Sequence, residues 1–432
     1  MVKVLAVLLN VVLTSLFFFP FEFKQMPGIN TKMMMAVVGL FIFGYRMSQN
    51  REGHMSRNLF MLTLFAAAIS LCGFLSVTLN ETPDYAYATY LMSMWVWIGG
   101  AYAVCNCISA VHGEINIRLM VHYLAVLCVV QCILALLVDN NPSLKHSIDA
   151  IVEQGQSFLN SNNVKRLYGI GASLDVAGSR FAAVLVMLAY YLRNAFVEHR
   201  GILLKIFYWG AFIAIGVMGN MIARTTSVGL AIALLYWLYD SEVWRLHLKP
   251  GYGNLFGGLL LVFLVSAPIL VWQYEENSSA RRLLRFAFEG FFSIAEKGTW
   301  EVSSNDKLST MYVFPKTLKT WLIGDGYFSS PQNVDPYYTG PIIGGYYMGT
   351  DVGYLRFIFY FGVIGLSAFM AFICKVTQLC LCQFQKDKVL FVMLLVVNLA
   401  VWFKVATDIF LVFALFLMFS QGNANQKVST SL

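Results

Sequence analysis

The sequence predicts an all-α polytopic membrane protein with about 12 transmembrane helices. Hydrophobic residues make up 58% of its 432 residues and charged residues only 12%, whereas about a quarter of the residues of a soluble domain are charged. The mean hydropathy is +0.66. Apolar runs long enough to cross a bilayer as a helix, about 17–25 residues, recur from one end of the chain to the other. We therefore expect a single integral membrane domain over residues 1–432.

The apolar runs place the expected spans in order along the chain. The first run follows Lys3 as in a signal peptide, but it ends in "PFEFKQ" without a small-residue cleavage site, which indicates a retained anchor. The expected spans are 3–19, 33–46, 59–78, 87–110, 119–138, 177–193, 204–222, 226–240, 255–273, 351–373, 389–403 and 405–420.

The charges of the connections between these spans predict the orientation of the chain. If Lys3 lies inside, every interior connection carries at least one Lys or Arg, whereas the exterior loop "NETPDY" is acidic. Lys and Arg concentrate on the cytoplasmic side of membrane proteins, so both termini are expected to face the cytoplasm. The same bias accounts for much of the net charge of +7, and no nucleic-acid partner is expected.

Two exterior connections, 139–176 and 274–350, are much longer than the others. Loops of this length are usually functional or disordered, and the aromatic content of the larger one, between spans nine and ten, argues against disorder. Within it, "ARRLLRFAFEGFFSIAEKG" has apolar residues near helical spacing at Leu284, Phe288, Phe291 and Phe292. This pattern predicts an interfacial helix near 280–297 that lies on the membrane with its apolar side down.

One apolar stretch, from Ile206 to Asp240, is too long for a single span, because about 20 residues are enough to cross. The chain is expected to turn in its polar centre, "NMIARTTS". Arg224 then lies at the exterior surface between spans seven and eight, where a charge is costly unless it is paired or hydrated. A lone Arg at a helix end can simply anchor the topology by reaching the headgroups, so Arg224 alone does not identify a site.

Other arginines on the same side favour an anion site over a simple anchor. They lie before and within the first turn of span six and at the start of the interfacial helix, against the positive-inside bias, and guanidinium groups suit phosphate oxygens. Asp175 is a candidate to orient one of them, Arg180. A lipid-linked diphosphate would supply the anion at this depth. The residues expected to bind the diphosphate are Arg166, Arg180, Arg224, Arg281, Arg282, Arg285 and Arg356.

Three stretches occur in a specific order: "RLYGIGASLDVAGS" before span six, "ARTTSVGLA" around Arg224, and "LIGDGYFSS" followed by "GTDVGYLRFIFYFGVIGL". With the layout of spans and loops, they resemble the bacterial O-antigen polymerases and O-antigen ligases over nearly the whole chain. Ligases of the family typically carry a His where this chain has Asp351, so the resemblance is greater to polymerases of O-antigen or capsule. The matching glycines and their neighbours are Gly324, Gly326, Asp351, Gly353, Tyr354, Leu355, Gly362, Gly365 and Leu366.

The resemblance implies a GT-C-like membrane glycosyltransferase in the bacterial inner membrane, with its active site on the periplasmic side. A sugar hydroxyl of one undecaprenyl-diphosphate-linked glycan would attack the anomeric carbon of another with inversion, and undecaprenyl diphosphate would leave. The implied partners are the donor and acceptor glycans, membrane lipids and a chain-length regulator. Cationic side chains can stabilise the leaving diphosphate without a metal, and neither a metal site nor a cofactor is expected.

The remaining candidates are a base and a set of sugar-binding tyrosines. Asp351 and Arg224 are the expected catalytic residues: Asp351 would accept the proton of the attacking hydroxyl, although its position before span ten also suits a helix N-cap. Arg356 is expected near Asp351. The tyrosines expected to stack on the glycan, or alternatively to form an aromatic belt, are Tyr327, Tyr337, Tyr338, Tyr346 and Tyr347.

Three other functions remain open from the sequence. An O-antigen ligase would transfer the glycan to lipid A-core. A transporter or flippase of lipid-linked sugars would place charged or broken-helix features in paired halves near the middle of the membrane. A non-catalytic scaffold of an export complex would need no phosphate site for its arginines.

Overall fold

The structure is a computed structural model that describes residues 2–49, 56–154, 166–340 and 345–419. The described chain is mostly helical. Two strands of two residues each, β1 (Glu22–Phe23) and β2 (Val152–Glu153), pair antiparallel. The mostly helical chain agrees with the all-α architecture that the sequence predicts.

The helices follow one another in this order: α1 (Val2–Phe18), α2 (Thr31–Gln49), α3 (Arg57–Asn80), α4 (Tyr90–His112), α5 (Ile117–Asn140), α6 (Pro142–Ile151), α7 (Leu174–Val197), α8 (Ile202–Ile222), α9 (Thr226–Asp240), α10 (Tyr252–Glu276), α11 (Ser278–Ala287), α12 (Glu289–Lys297), α13 (Ser303–Ser309), α14 (Leu318–Leu322), α15 (Pro331–Val334), α16 (Gly353–Gln383), α17 (Lys388–Val401) and α18 (Phe410–Leu417).

Among the described helices, 7 are long and apolar enough to cross a membrane, by length and composition: α3, α4, α5, α7, α8, α10 and α16. This confirms the membrane character that the sequence predicts. The other expected spans coincide with helices that are shorter or less apolar: α1, α2, α9, α17 and α18. The total of twelve therefore stays a prediction.

Several expected boundaries are wrong. The single helix expected near 280–297 is two helices, α11 and α12, because the backbone leaves the helical conformation at Phe288. Span ten is a longer helix, α16, that is interrupted at Phe361 and Gly362. The last span was expected from residue 405, but α18 begins at Phe410. The irregular stretch before it is held by side chains, because Asn398 Oδ1 accepts the N–H of Ile409 at 3.0 Å.

Two compact units divide the chain, and the single membrane domain over residues 1–432 stays a prediction. The first comprises Met1–Thr31 and Ile108–Val302, and the second comprises Lys32–Cys107 and Ser303–Leu432. Both are discontinuous in sequence because packing partners are distant along the chain: α1 packs on α5, whereas α3 packs along α16. The long loop 274–350 is thereby shared between the units.

In the first unit, α7 is the most buried of the candidate spans. Small residues let its neighbours approach closely, as is common between membrane helices. A Cβ on Gly229 of α9 would lie 2.4 Å from Ala182 of α7, and a Cβ on Gly178 would lie 2.8 Å from Ala223. The connection between α8 and α9 is thus fixed against the first turns of α7.

In the second unit, the loop after α14 packs on the interruption in α16. The N–H groups of Asp325 and Gly326 donate to the carbonyls of Phe359 and Tyr360, at 2.6 and 3.2 Å. Gly362 has a φ of 71°, and a Cβ there would lie 2.1 Å from the carbonyl oxygen of Leu322. The "GDG" loop therefore supplies donors to carbonyls that the interrupted helix leaves without their usual partners.

Candidate functional site

The turn that carries Arg224 lies where the sequence predicts it, because α8 ends at Ile222 and α9 begins at Thr226. The Thr226 hydroxyl donates to the carbonyl of Gly219 at 3.0 Å, and the Thr226 N–H donates to the carbonyl of Ala223 at 3.0 Å. These bonds close the turn tightly. Arg224 projects from it with only 14% of its side chain exposed.

Arg224 binds one short segment of the long loop. Its Nη1 lies 2.7 Å from Oε2 of Glu289, its Nε donates to the carbonyl of Phe286 at 2.8 Å, and its guanidinium lies over the Phe286 ring, 4.3 Å from the centroid. The segment joins α11 to α12. The sequence does not single out Phe286 or Glu289, since both look like ordinary residues of an amphipathic helix.

Arg166 meets Arg224 at the same phenyl ring. Its guanidinium lies 5.0 Å from the centroid of Phe286, and its Nη1 is 3.9 Å from Oδ2 of Asp175. Asp175 also accepts a hydrogen bond from the Thr225 hydroxyl. Within the described residues, Arg166 Nε has no hydrogen-bond partner. We call Arg166, Asp175, Arg224, Thr225, Phe286 and Glu289 the arginine cluster.

Glycines place Arg166 beside the end of α8. The amide of Gln131 on α5 binds both the N–H and the carbonyl of Ile170, at 2.9 Å each. Gly171 has a φ of +76°, and a Cβ there would lie 2.0 Å from the carbonyl oxygen of Phe19. The Leu167 N–H then reaches the carbonyl of Met221 at 3.2 Å. The "YGIGAS" stretch is therefore a close-packed approach to α7.

The cluster balances its charges locally. Burial lowers the pKa of the Arg224 guanidinium, and the Glu289 carboxylate opposes that shift. The positive charge of Arg166 adds to the lowering. Two neighbouring guanidiniums that share one aromatic ring are an arrangement that binds phosphate oxygens well when no carboxylate occupies them.

The other arginines expected to bind the diphosphate have contacts of their own. Arg180 is only 5% exposed, and it faces Phe19, 5.9 Å from the ring centroid. Because residues of a helix are spaced by about 100°, Arg180 projects away from the α7 face that carries Asp175. Asp175 contacts Arg166 and Thr225.

The arginines of α11 bind residues of α10, α11 and α12. Arg281 donates to the carbonyls of Tyr274 and Glu275, at 2.9 and 2.8 Å, which satisfies the end of α10. Arg282 is exposed and donates to Ser279 at 3.0 Å. Arg285 forms a two-pronged ion pair with Glu296, at 2.7 Å for each contact. Glu296, ahead of the Tyr274 hydroxyl, raises the pKa of Arg285.

Asp351 and Arg356 lie in the second unit and are near each other, as expected. Arg356 is 6% exposed, and its guanidinium lies between the rings of Phe328 and Tyr346, 3.8 and 3.6 Å from their centroids. Its Nη1 is 4.0 Å from Oδ1 of Asp351. Arg356 is thus stacked on both faces, which favours a role in holding the loop over a role in binding phosphate.

The capping alternative for Asp351 is wrong. The helix α16 begins at Gly353, so Val352 holds the cap position and no side chain caps the helix. An N–H of the first turn is instead bound by the irregular stretch between α17 and α18, since Tyr354 donates to the carbonyl of Trp402 at 3.1 Å. The side chain of Asp351 is 28% exposed, and it pairs with Arg356.

Three of the expected tyrosines and two carboxylates contact one another in the loop that precedes Asp351. Tyr327 stacks on Tyr347 with centroids 5.4 Å apart, and Tyr338 contacts Tyr327 edge-on at 6.2 Å. The Tyr327 hydroxyl donates to Asp335 at 2.8 Å, and the Tyr347 hydroxyl donates to Asp325 at 3.2 Å. We call these five residues the tyrosine cluster. Such a group of residues suits a sugar, because the C–H groups of a sugar pack on aromatic rings and its hydroxyls donate hydrogen bonds to carboxylates.

The remaining two tyrosines are placed differently. Tyr337 is 90% exposed, and Tyr346 stacks on Arg356. Burial, with the Asp335 carboxylate next, raises the pKa of Tyr327 to about 12. Burial and Asp325 raise the pKa of Tyr347. Both hydroxyls therefore stay protonated donors at neutral pH.

Asp84 is a residue that sequence reasoning missed. It is 4% exposed and accepts the N–H groups of Phe328 and Ser329, both at 2.9 Å. Thr82, from the same "NETPDY" loop, donates to the carbonyl of Gly326 at 2.8 Å. This loop was interpreted only as an acidic exterior connection. Its Asp and Thr beside a Pro are a loop signal, but their partner lies far along the chain.

Arg224 belongs to the first unit and Asp351 to the second, and their participation in one site stays a prediction. Among the residues that the structure describes, no three His, Cys, Asp or Glu side chains are grouped as a metal site requires. No model of a known protein family matches the sequence, and no curated protein and no solved structure matches it either.

Proposed function

We propose that this protein is a membrane glycosyltransferase that polymerises glycans carried on undecaprenyl diphosphate, for O-antigen or capsular polysaccharide. The observation that carries the proposal is the arginine cluster, in which Arg166 and Arg224 meet at the ends of apolar helices. A lipid diphosphate would present its charge at that depth. The tyrosine cluster, with its carboxylates, supports a glycan ligand for the second unit.

The reaction joins two lipid-linked glycans. A hydroxyl oxygen of the acceptor forms a bond to the anomeric carbon of the donor, while the bond from that carbon to the diphosphate oxygen breaks with inversion. The electron pair leaves with undecaprenyl diphosphate, whose charge Arg224 and Arg166 would stabilise. The proton of the attacking hydroxyl passes to Asp351. The proposal includes twelve spans, a GT-C-like fold, an inner-membrane location with cytoplasmic termini and a periplasmic site.

Incubation of the purified protein with lipid-linked repeat units tests the reaction class. We expect longer lipid-linked glycans without any lipid A-core acceptor, because a polymerase uses a second copy of its donor. Products that appear only with lipid A-core would instead identify a ligase. An absence of glycan extension, combined with movement of lipid-linked sugar across vesicles that contain the protein, would identify a transporter.

Asp351→Asn tests the base. The variant keeps the shape of the side chain but cannot accept the proton, so we expect kcat to fall about 100-fold or more and the acidic limb of the pH profile to disappear. Asp306→Asn changes an exposed acid of α13 in the same unit and serves as the matched control. Turnover of Asp351→Asn close to that of the control would exclude Asp351 as the base.

A further inference from the structure

The segment 286–289, which joins α11 to α12, contacts the guanidinium of Arg224. Three contacts of the guanidinium come from these four residues: the Glu289 carboxylate at 2.7 Å, the Phe286 carbonyl at 2.8 Å and the Phe286 ring at 4.3 Å from its centroid. The side chain of Arg224 is only 14% exposed beneath them. An anion that binds Nη1 and Nε therefore has to displace Glu289 and the Phe286 carbonyl from them.

The contacts that the segment makes are those a phosphate would make. A carboxylate oxygen and a carbonyl oxygen accept from the Nη1 and Nε donors of Arg224, which are the donors that a guanidinium offers to phosphate oxygens. Glu289 thus occupies the arginine with an anion that belongs to the chain itself. A ligand with more negative charge and more acceptor atoms can displace it.

The two carboxylates of the arginine cluster differ in how firmly they are held. Asp175 lies in the first turn of α7 and accepts from the Thr225 hydroxyl, so it belongs to the packed helices. Glu289 lies at the first position of α12, a short helix of the long loop, with 32% of its side chain exposed. With Glu289 in place the two arginines and two carboxylates balance. Without it the cluster carries one net positive charge.

The arginines of α11 hold the covering segment together. Arg281 ties α11 to the last carbonyls of α10, and Arg285 ties α11 to α12 through Glu296. Asn277, the single residue between α10 and α11, caps α11 through its side chain at 2.9 and 3.1 Å. The pair α11–α12 is thereby built as one piece attached at Asn277. This gives Arg281 and Arg285 a role that requires no direct contact with the cluster.

We propose that α11–α12 is a lid over the arginine cluster, that Glu289 holds it closed by standing in for the ligand, and that a diphosphate opens it by displacing Glu289 from Arg224. The proposal rests on the proposed function, since it takes the diphosphate as the ligand of Arg224. It adds that Glu289 blocks Arg224 until a diphosphate binds. The lid then opens only when a ligand of sufficient charge is present.

The first test measures the affinity of the purified full-length protein for inorganic pyrophosphate, without divalent metal and at fixed ionic strength. Glu289→Gln keeps the size of the side chain but removes the competing charge. We therefore expect the Kd for pyrophosphate to fall about fivefold or more. Glu301→Gln is the matched control: it removes a carboxylate on the same loop that pairs with Lys297, and its Kd should stay within about twofold of the wild-type value. An unchanged or weaker Kd for Glu289→Gln would overturn the lid.

The second test follows the lid in the wild-type protein, so that it does not depend on how a variant folds. We expect amide hydrogen exchange in residues 278–297 to become faster when pyrophosphate saturates the protein, because the contacts with Arg224 are broken. Slower or unchanged exchange there would mean that the ligand does not displace the segment.

The lid and the proposed function fail in different ways. One outcome rejects only the lid proposal: the wild-type protein extends lipid-linked glycans, Arg224→Ala does not, and Glu289→Gln binds pyrophosphate no better than the wild type. If pyrophosphate binds neither the wild-type protein nor Glu289→Gln, both the lid and the diphosphate site are overturned.

Discussion

Arg224→Ala is expected to reduce glycan chain extension at least about 100-fold, because removing one preorganised donor to a developing negative charge commonly costs that much in kcat. Arg224→Lys should fall almost as far, since an ammonium cannot reproduce the paired donors of a guanidinium or its stacking on Phe286. Both variants should stay inserted and abundant. Polymer length in cells and turnover of lipid-linked repeat units by purified protein provide the measurement.

The control for this experiment lies at the other end of α9. Arg245 follows that helix, is exposed and pairs with Glu242 at 3.7 Å, so Arg245→Ala removes an arginine of the same unit without touching the cluster. It should leave chain extension unchanged. Normal polymer lengths in both Arg224 variants would remove Arg224 from the mechanism.

Gly362→Ala is expected to destabilise the protein by about 3 kcal/mol or more. The backbone at this position has a φ of 71°, which side chains of L-residues rarely adopt. A Cβ would also lie 2.1 Å from the carbonyl oxygen of Leu322, so the "GDG" loop would have to leave the interruption in α16. Thermal unfolding of the detergent-solubilised protein should show a lowered Tm and a smaller folded yield.

Gly257→Ala is the matched control for this substitution. Gly257 lies inside α10, where a Cβ would meet nothing within 4 Å, and Ala stabilises helix interiors relative to Gly. Its Tm should be equal to or above that of the wild type. A Tm for Gly362→Ala equal to that of the control would show that the "GDG" loop does not require a glycine at the break.

The sequence predicted the turn at Arg224 well because that prediction depends on length alone. A continuous apolar stretch longer than one span must reverse direction, and the chain does so at its polar centre, between Ile222 and Thr226. The helix break in α16 was not predicted in the same way. A glycine at position 362 allows a backbone conformation with positive φ but does not require one. The reason for the interruption is the carbonyl of Leu322, which packs against Gly362 from a distant segment.

The set of arginines shows the limit of such reasoning most clearly. Position along the chain predicted a gathering of cations, and Arg166 does meet Arg224. The same reasoning included Arg180, whose side chain faces Phe19, and Arg285, whose partner is Glu296. Gly178 and Ala182 pack against the α8–α9 connection and α9, and this packing determines which side of α7 faces that connection. The positions of the arginines in the sequence do not predict this orientation.

The sequence by itself determined the class of protein, the places where apolar helices form and the turn that carries Arg224, because these follow from composition, length and local spacing. Only the tertiary structure decided which side chains meet: Phe286 and Glu289 on Arg224, Asp84 on the loop after Gly326, and Phe328 with Tyr346 on Arg356. Apart from Tyr346 and Arg356, these partners are far apart along the chain. They are selected by close packing and by the need to pair buried charges and backbone groups, which no local pattern encodes.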